Sequence, residues 1–339
     1  FRSQLAPNDP EKQTSLALSK LATGKDVEAF GDLRGIAGRD KGVVADMALI
    51  NALVQRGDFD KAIEAIGKLE SKKPGDPIPR LIRAQALMGK GDEKGARQVL
   101  EETGKASPKY FPVVSALVNL DAKADKLPEA QKRVEAFLVL EPKHVDALLT
   151  LAQLRQKQGA KQAEMVALFN RAVDAAPDEP LPRLNLIRYH LFVKDNKAAL
   201  SAAQSAAAVL PANLTVQDAL GQAQVAVGEY NQALNTYGKL ATMQPGSGAP
   251  YMRMAGGHAA SKNFDEAATT LRKALEIKPD SLEAQRGLAE LALRNNSVAD
   301  ALTMTRNIQK QRPKEAIGYM MEGDVLIFAK KFDEAQAEL

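Results

Sequence analysis

Apolar residues recur along this chain at helical spacing, in short blocks separated by polar turns. The stretch Tyr251–Pro279 shows the unit. Tyr251, Met254, Ala255 and His258 fall on one face of a first helix. The run Ser261–Glu266, reading SKNFDE, is a polar turn. Ala267, Leu271 and Ala274 then mark the apolar face of a second helix, and Pro279 ends it because proline has no amide proton to continue the ladder. A proline takes this place at Pro74, Pro108, Pro142, Pro177, Pro211, Pro245, Pro279 and Pro313, in steps of 34 residues with a single step of 35. Twelve residues ahead of these prolines stands Ala62, Ala96, Ala130, Ala199, Ala233, Ala267 or Ala301, and Ala335 continues the series. Met165 replaces alanine in the unit that is one residue longer, and the extra residue is assigned to the turn KQGAKQAE, Lys157–Glu164. A small residue at this point marks a close crossing of two helices. The remaining prolines agree. Pro77, Pro79, Pro112, Pro180, Pro182 and Pro250 fall near first-helix starts and Pro128 near a second-helix start, where a missing N–H matters little.

The pattern predicts an all-α protein of about 20 antiparallel helices, without strands or a globular insert. One such unit cannot bury its apolar face alone, so neighbours stack and share a continuous core. Length alone would suggest two or three globular domains; the repeats predict one elongated domain instead. Residues 1–19 read as a polar leader or first cap, 20–42 as a degenerate repeat around DVEAFGDLRGIA, and 43–339 as regular repeats with the last incomplete. The chain begins at Phe1 rather than Met, and its next ladder proline would fall near position 347. It is therefore expected to be a segment of a longer parent.

A 34-residue helix–turn–helix with small residues at the crossings and a terminal proline resembles the tetratricopeptide repeat. The resemblance covers Lys20–Leu339, with nine units carrying a second-helix landmark from Ala62 to Ala335. It implies a solenoid wound as a right-handed superhelix, with first helices on the concave side.

Composition narrows the chemistry. The chain is 45% hydrophobic, 26% charged and 5% aromatic, which suits a folded protein, and no apolar run is long enough to span a bilayer. With no cysteine, a disulfide scaffold, a thiolate zinc site and a cysteine nucleophile are excluded within these residues. A net charge of +4 without clustered arginines and aromatics gives no nucleic-acid footprint. His190 and His258 are two repeats apart and occupy the same first-helix slot, which reads as packing; His144 lies in an inter-repeat turn and is expected to be solvated. The Gly246-Ser247-Gly248 run lacks the strand–turn–helix frame of a nucleophile elbow. The glycine-bearing turns have no following Gly-Lys-Ser/Thr, so no phosphate loop is supported. Acids such as Asp265 and Glu266 open second helices, where they suit the helix dipole. No enzyme, cofactor or metal is expected.

Partner binding is expected on the first helices. The ninth position of successive units carries Asn51, Gln85, Asn119, Gln153, Arg188 and Gln222, then Gly256, Glu290 and Asp324. Carboxamides spaced along a groove can both donate to and accept from an extended peptide backbone without reading its sequence. The same residue types also suit any solvated helix face. An apolar docking patch is the second candidate: Leu181, Leu184, Leu191 and Phe192, with Ile317, Met320, Ile327 and Phe328 as a further group. Packing between neighbouring first helices is the competing reading of both. A tetratricopeptide subclass that clamps terminal carboxylates uses Lys and Asn at groove positions of adjacent repeats; Asn51 and Asn119 alone fit it, but the fifth position carries Met47, Leu81, Ser115, Leu149, Leu184, Asp218, Met252, Arg286 and Met320 and no lysine, which disfavours that use.

The C-terminal third carries more than repeat landmarks. Leu220–Ser247, the run LRKALEIKPDSLEAQRGLAELALRNN, and Ile308–Ala335 resemble the large tetratricopeptide-repeat lipoproteins of the PEP-CTERM/exosortase system. Gln309, Gln311, Pro313, Gly318, Glu322, Gly323 and Asp324 are the most specific part. This resemblance implies a protein of the Gram-negative cell envelope or periplasm, held to a membrane only by a lipid anchor outside this segment. It further implies a scaffold for protein or peptide partners, linked to exopolysaccharide production and to the sorting of proteins with a C-terminal PEP signal. A peptide-binding arm of a larger enzyme and a structural subunit of a polysaccharide export complex are the alternatives.

Overall fold

The computed structural model describes residues 9–338, and these form twenty α-helices and no strand. The first ten are α1 (Pro10–Ala22), α2 (Asp26–Arg39), α3 (Val44–Gln55), α4 (Phe59–Lys72), α5 (Pro77–Lys90), α6 (Glu93–Ala106), α7 (Phe111–Lys123), α8 (Leu127–Leu140), α9 (Val145–Lys157) and α10 (Gln162–Ala175). The second ten are α11 (Pro180–Phe192), α12 (Asn196–Val209), α13 (Leu214–Ala226), α14 (Tyr230–Met243), α15 (Ala249–Ala260), α16 (Phe264–Ile277), α17 (Leu282–Arg294), α18 (Val298–Gln311), α19 (Ile317–Phe328) and α20 (Phe332–Glu338). Odd-numbered helices are the first of each repeat and even-numbered ones the second. The segment expected as a polar leader, 1–19, contains most of α1: Asp9 caps it through Glu11 N–H, Pro10 occupies its first position, and α1 pairs with α2 as a full repeat.

Both ladders have the expected physical cause. Pro74 directly follows the C-cap Lys73, and Pro108, Pro142, Pro211, Pro245, Pro279 and Pro313 stand in the same relation to their helices. The ladder alanines lie at the helix crossings, with Ala62, Ala96, Ala130, Ala199, Ala233 and Ala301 fully buried and Ala267 and Ala335 at most 3% exposed; Met165, in the alanine slot of α10, is equally enclosed.

A third ladder sits in the turn between the two helices of each repeat. Gly24, Gly57, Gly91, Asp125, Gly159, Lys194, Gly228, Lys262, Asn296 and Lys330 all adopt positive φ, between 57° and 90°. The left-handed residue reverses the chain within a turn of two to four residues, which glycine does without strain and lysine does not. The ladder also locates the insertion. One residue separates Gly57 from α4 and Gly91 from α6, whereas Ala160 and Lys161 both lie between Gly159 and α10.

Where one elongated domain was expected, the chain divides into two compact units, one ending at Ala175 and the other starting at Ala176. In the first, one core joins Phe30, Leu33, Ile50, Leu53 and Ile66, and another joins Leu100, Val113, Leu117 and Leu120. In the second, Ile187, Val216 and the alanines of α12 form one cluster, Ala233, Tyr237 and Leu240 a second, and Leu271, Ala274 and Leu288 a third. Within each unit every helix packs on the next in sequence, so stability is built from neighbours.

Candidate functional site

First helices also meet each other: α1 touches α3 and α5 touches α7 in the first unit, and α11 touches α13 and α13 touches α15 in the second. Direct contact between alternate helices puts the first helices on the inner, shorter row of the stack. On this row Asn51, Gln85, Asn119 and Gln153 project from α3, α5, α7 and α9. All four are exposed, and among the described residues none makes a side-chain hydrogen bond. Their donors and acceptors are thus open to an external chain. Arg188 on α11 is likewise exposed and unpaired. Gln222 on α13 differs. It is half-buried, and its Nε2 donates to Asp218 Oδ2 at 2.7 Å. Arg253 grips the same carboxylate through Nε (2.8 Å) and a terminal nitrogen (3.1 Å).

The apolar patch is corrected. Leu184 is only 5% exposed, inside the cluster with Ile187 and Val216, and Leu191 packs partly against the same cluster. Only Leu181 and Phe192 of that group face solvent, Phe192 at 71%. The contact of α13 with α11 covers what lies between them. In the further group Met320, Ile327 and Phe328 are exposed and Ile317 is half-buried.

The histidines have structural surroundings. His190 is buried, with Nδ1 at 3.6 Å from Asp195 Oδ2, beyond hydrogen-bond reach. His144 is not simply solvated. Its Nδ1 accepts from Ala147 N–H at 3.3 Å and so caps α9, and its ring lies 4.7 Å from Phe111 and 5.1 Å from Phe137 between centroids. Among the described residues no group of three His, Cys, Asp or Glu could hold a metal ion, and no helix is long and apolar enough to cross a membrane.

Periodicity did not disclose a hollow on the inner row of the second unit. A cleft of about 770 Å³ opens between α15 and α17 over α16, lined by Met252, Gly256, Phe264, Leu271, Arg286 and Glu290 among others. Gly256, at the ninth position, leaves its part of the wall bare, with no heavy atom within 4 Å of where a Cβ would be. Arg286 and Glu290 pair at 3.5 Å across one turn of α17, and the Arg294 guanidinium lies 4.0 Å over the Phe264 ring. The sequence signal was the Gly256-Gly257 pair inside a helical pattern. An interior helix glycine is destabilising and often marks a close approach or an opening.

The repeat geometry is matched by sequence. One profile described as a tetratricopeptide repeat matches residues 53–120 and 258–323, and another of the same description matches 115–180 and 219–281. The chain is a tetratricopeptide-repeat protein. No curated protein matches it in sequence. Among solved structures, a tetratricopeptide repeat protein from Parabacteroides merdae is 16% identical over 66% of this chain and 88% of its own, with a TM-score of 0.50. Yeast Tom70 is 16% identical over 97% of this chain and 83% of its own, at 0.48. The C-terminal part of a TPR repeat-containing protein from Cytophaga hutchinsonii is 18% identical over 78% and 95%, at 0.46. The likeness to the first is one of fold. Tetratricopeptide repeats generally mediate protein–protein contact, and this repeat protein presents an inner row with polar groups left open in the first unit and a cleft in the second.

The C-terminal signature residues have a packing role. Gln309 Nε2 donates to Glu322 Oε2 at 2.7 Å and Arg306 Nε to Glu322 Oε1 at 2.8 Å. A Cβ on Gly318 would stand 2.8 Å from Gln309 N. Gln309, Gly318 and Glu322 therefore form the joint between α18 and α19, and the close approach explains the glycine.

Proposed function

We propose that this protein is a non-catalytic interaction scaffold of the bacterial cell envelope, linked to exopolysaccharide production and to sorting of PEP-CTERM proteins. The inner row of its first unit binds an extended partner segment through its backbone. The observation that carries the binding reading is the set of four exposed carboxamides without protein partners, Asn51, Gln85, Asn119 and Gln153, one per repeat. Each offers a donor and an acceptor, which is what an extended backbone presents. Arg188 and Gln222 occupy the same position of later repeats, but Gln222 has already committed a donor to Asp218. The envelope part rests on the resemblance around Gln309–Asp324. Membrane association, in this reading, is through an anchor outside these residues.

The test is binding of labelled peptides of unrelated sequence to the wild-type chain and to variants. A single amide-to-alanine change is expected to weaken binding by about 0.5–1.5 kcal/mol, the net worth of an ordinary hydrogen bond. The quadruple change should weaken it much more, by the same factor for each peptide, with the unfolding curve unmoved. Unchanged affinity in the quadruple variant refutes the amide row. Envelope fractionation of cells that make this protein tests the compartment, and recovery in the cytosolic fraction refutes it.

A further inference from the structure

A second groove lies on the opposite side of the first unit, between the second helices α2 and α4, with α3 beneath. It encloses about 560 Å³. Its floor is Ala37, Leu49, Leu53 and Ala65, and Gly38 leaves the α2 wall bare, with nothing within 4 Å of where its Cβ would be. Cations dominate the rim. Arg34 comes from α2, and Lys61 and Lys68 from α4. Arg34 has no hydrogen bond or ion pair among the described residues, and Lys61 is only loosely held, 3.6 Å from Asp58. Two carboxylates line the groove: the buried Asp46 is held by Lys72, and Glu64 at the rim is taken by Lys68 at 3.0 Å. Lys68 first, and Arg34 more distantly, hold that carboxyl below its usual range. Lys72 closes one end and is spent on structure. Its ammonium donates to Asp46 Oδ2 (2.6 Å) and to the carbonyls of Ala37 (2.5 Å) and Asp40 (2.9 Å).

We infer that this outer groove is a docking site for an acidic, extended segment of a partner protein. Arg34 and Lys61 would meet its carboxylates, and an apolar side chain would enter beside Gly38. Charge complementarity selects the occupant, since a free guanidinium is well suited to bidentate pairing with a carboxylate. Length agrees. Lys61 to Lys72 spans roughly 16 Å of helix, which about five extended residues cover. The site is separate from the amide row, so the scaffold would hold one partner inside and another outside.

The experiment titrates a fluorescein-labelled heptapeptide of acidic pairs alternating with leucine against the 339-residue chain at about 50 mM salt, where surface charges are weakly screened. Saturable binding is expected. Arg34→Glu should weaken it at least tenfold. Gly38→Leu, which fills the groove without altering charge and improves helix propensity, should weaken it at least fivefold with the circular dichroism spectrum unchanged. The titration is repeated with Asn51→Ala, Gln85→Ala, Asn119→Ala and Gln153→Ala combined, which removes the inner row as a second peptide site, and the tenfold and fivefold losses should be the same there. Three results overturn the proposal: no saturable binding, affinity that falls in the charge variant but is untouched in Gly38→Leu, or equal displacement by inorganic phosphate or by single-stranded RNA. The second would mark a diffuse charged surface and the third a site for other anions.

Discussion

Lys262 holds a backbone conformation, φ 65°, that glycine supplies freely at the equivalent Gly228 and Gly57. A side chain in the left-handed region costs about 1–2 kcal/mol, while glycine adds about 0.4–1 kcal/mol of unfolded-chain entropy. Lys262→Gly and Lys194→Gly are therefore expected to stabilise the protein by about 0.5–1 kcal/mol each, read as a rise in the urea midpoint. An unchanged midpoint would mean that the turn relieves the strain elsewhere. The converse holds at Gly221. A Cβ there would stand 2.3 Å from the ring of Tyr237, which is 2% exposed and has its hydroxyl pKa pushed up by burial. Gly221→Ala should destabilise by about 1–3 kcal/mol through overpacking. Equal stability of the variant and wild type would show that α13 and α14 can separate at no cost.

At the scale of elements, charge adds to apolar contact in tying α6 and α8 through α7. Asp121, 1% exposed on α7, accepts from Arg97 on α6 and from Arg133 on α8, each at 2.6 Å. Burial alone would raise its pKa, but the hydrogen bonds from Arg133 and Arg97 outweigh it and the carboxyl is held below its usual range. A folded-state pKa below the unfolded one gives stability that is present above about pH 4, the ordinary aspartate value, and is lost as pH falls through the depressed one. Unfolding free energy measured from pH 6 downward should thus drop in that acid window, and the drop should be shallower in Asp121→Asn. A variant with the same acid slope as wild type would place the titration elsewhere. At neutral pH Asp121→Ala should cost about 1.5–3 kcal/mol, the worth of a hydrogen bond to a charged group, because Arg97 loses this partner while Arg133 retains Glu101 at 3.3 Å.

For the molecule as a whole, stability is local because each helix packs mainly on its sequence neighbours. Ala267, 1% exposed at the crossing in α16, tests this. Ala267→Leu should destabilise its surroundings by about 1–3 kcal/mol. Hydrogen exchange should quicken in α15–α18 and remain as in wild type in α3–α8. Loss of protection throughout would mean that the two compact units unfold together. The same locality favours a scaffold. A binding face on one stretch of repeats can be altered without disturbing the core of another.

The helical register, the turns and the crossing alanines were legible in the sequence because local sterics set them. Proline ends a helix wherever it falls, and a crossing that excludes a side chain selects alanine each time. The exposure of Asn51, Gln85, Asn119 and Gln153 followed from the same period. The left-handed turn ladder was half hidden. Glycine advertises it at Gly57, Gly91, Gly159 and Gly228, but Lys194, Lys262 and Lys330 adopt it only because the helices on either side force the reversal. Tertiary structure alone decided the rest. Leu181 and Leu184 are three residues apart on one helix, yet one is exposed and the other buried, because burial depends on how far α13 covers α11. The inner cleft beside Gly256 and the outer groove beside Gly38 are spaces between helices distant by a turn or more of sequence. Their shape is set by how neighbouring repeats pack, and their charge by side chains that meet only once those repeats are stacked.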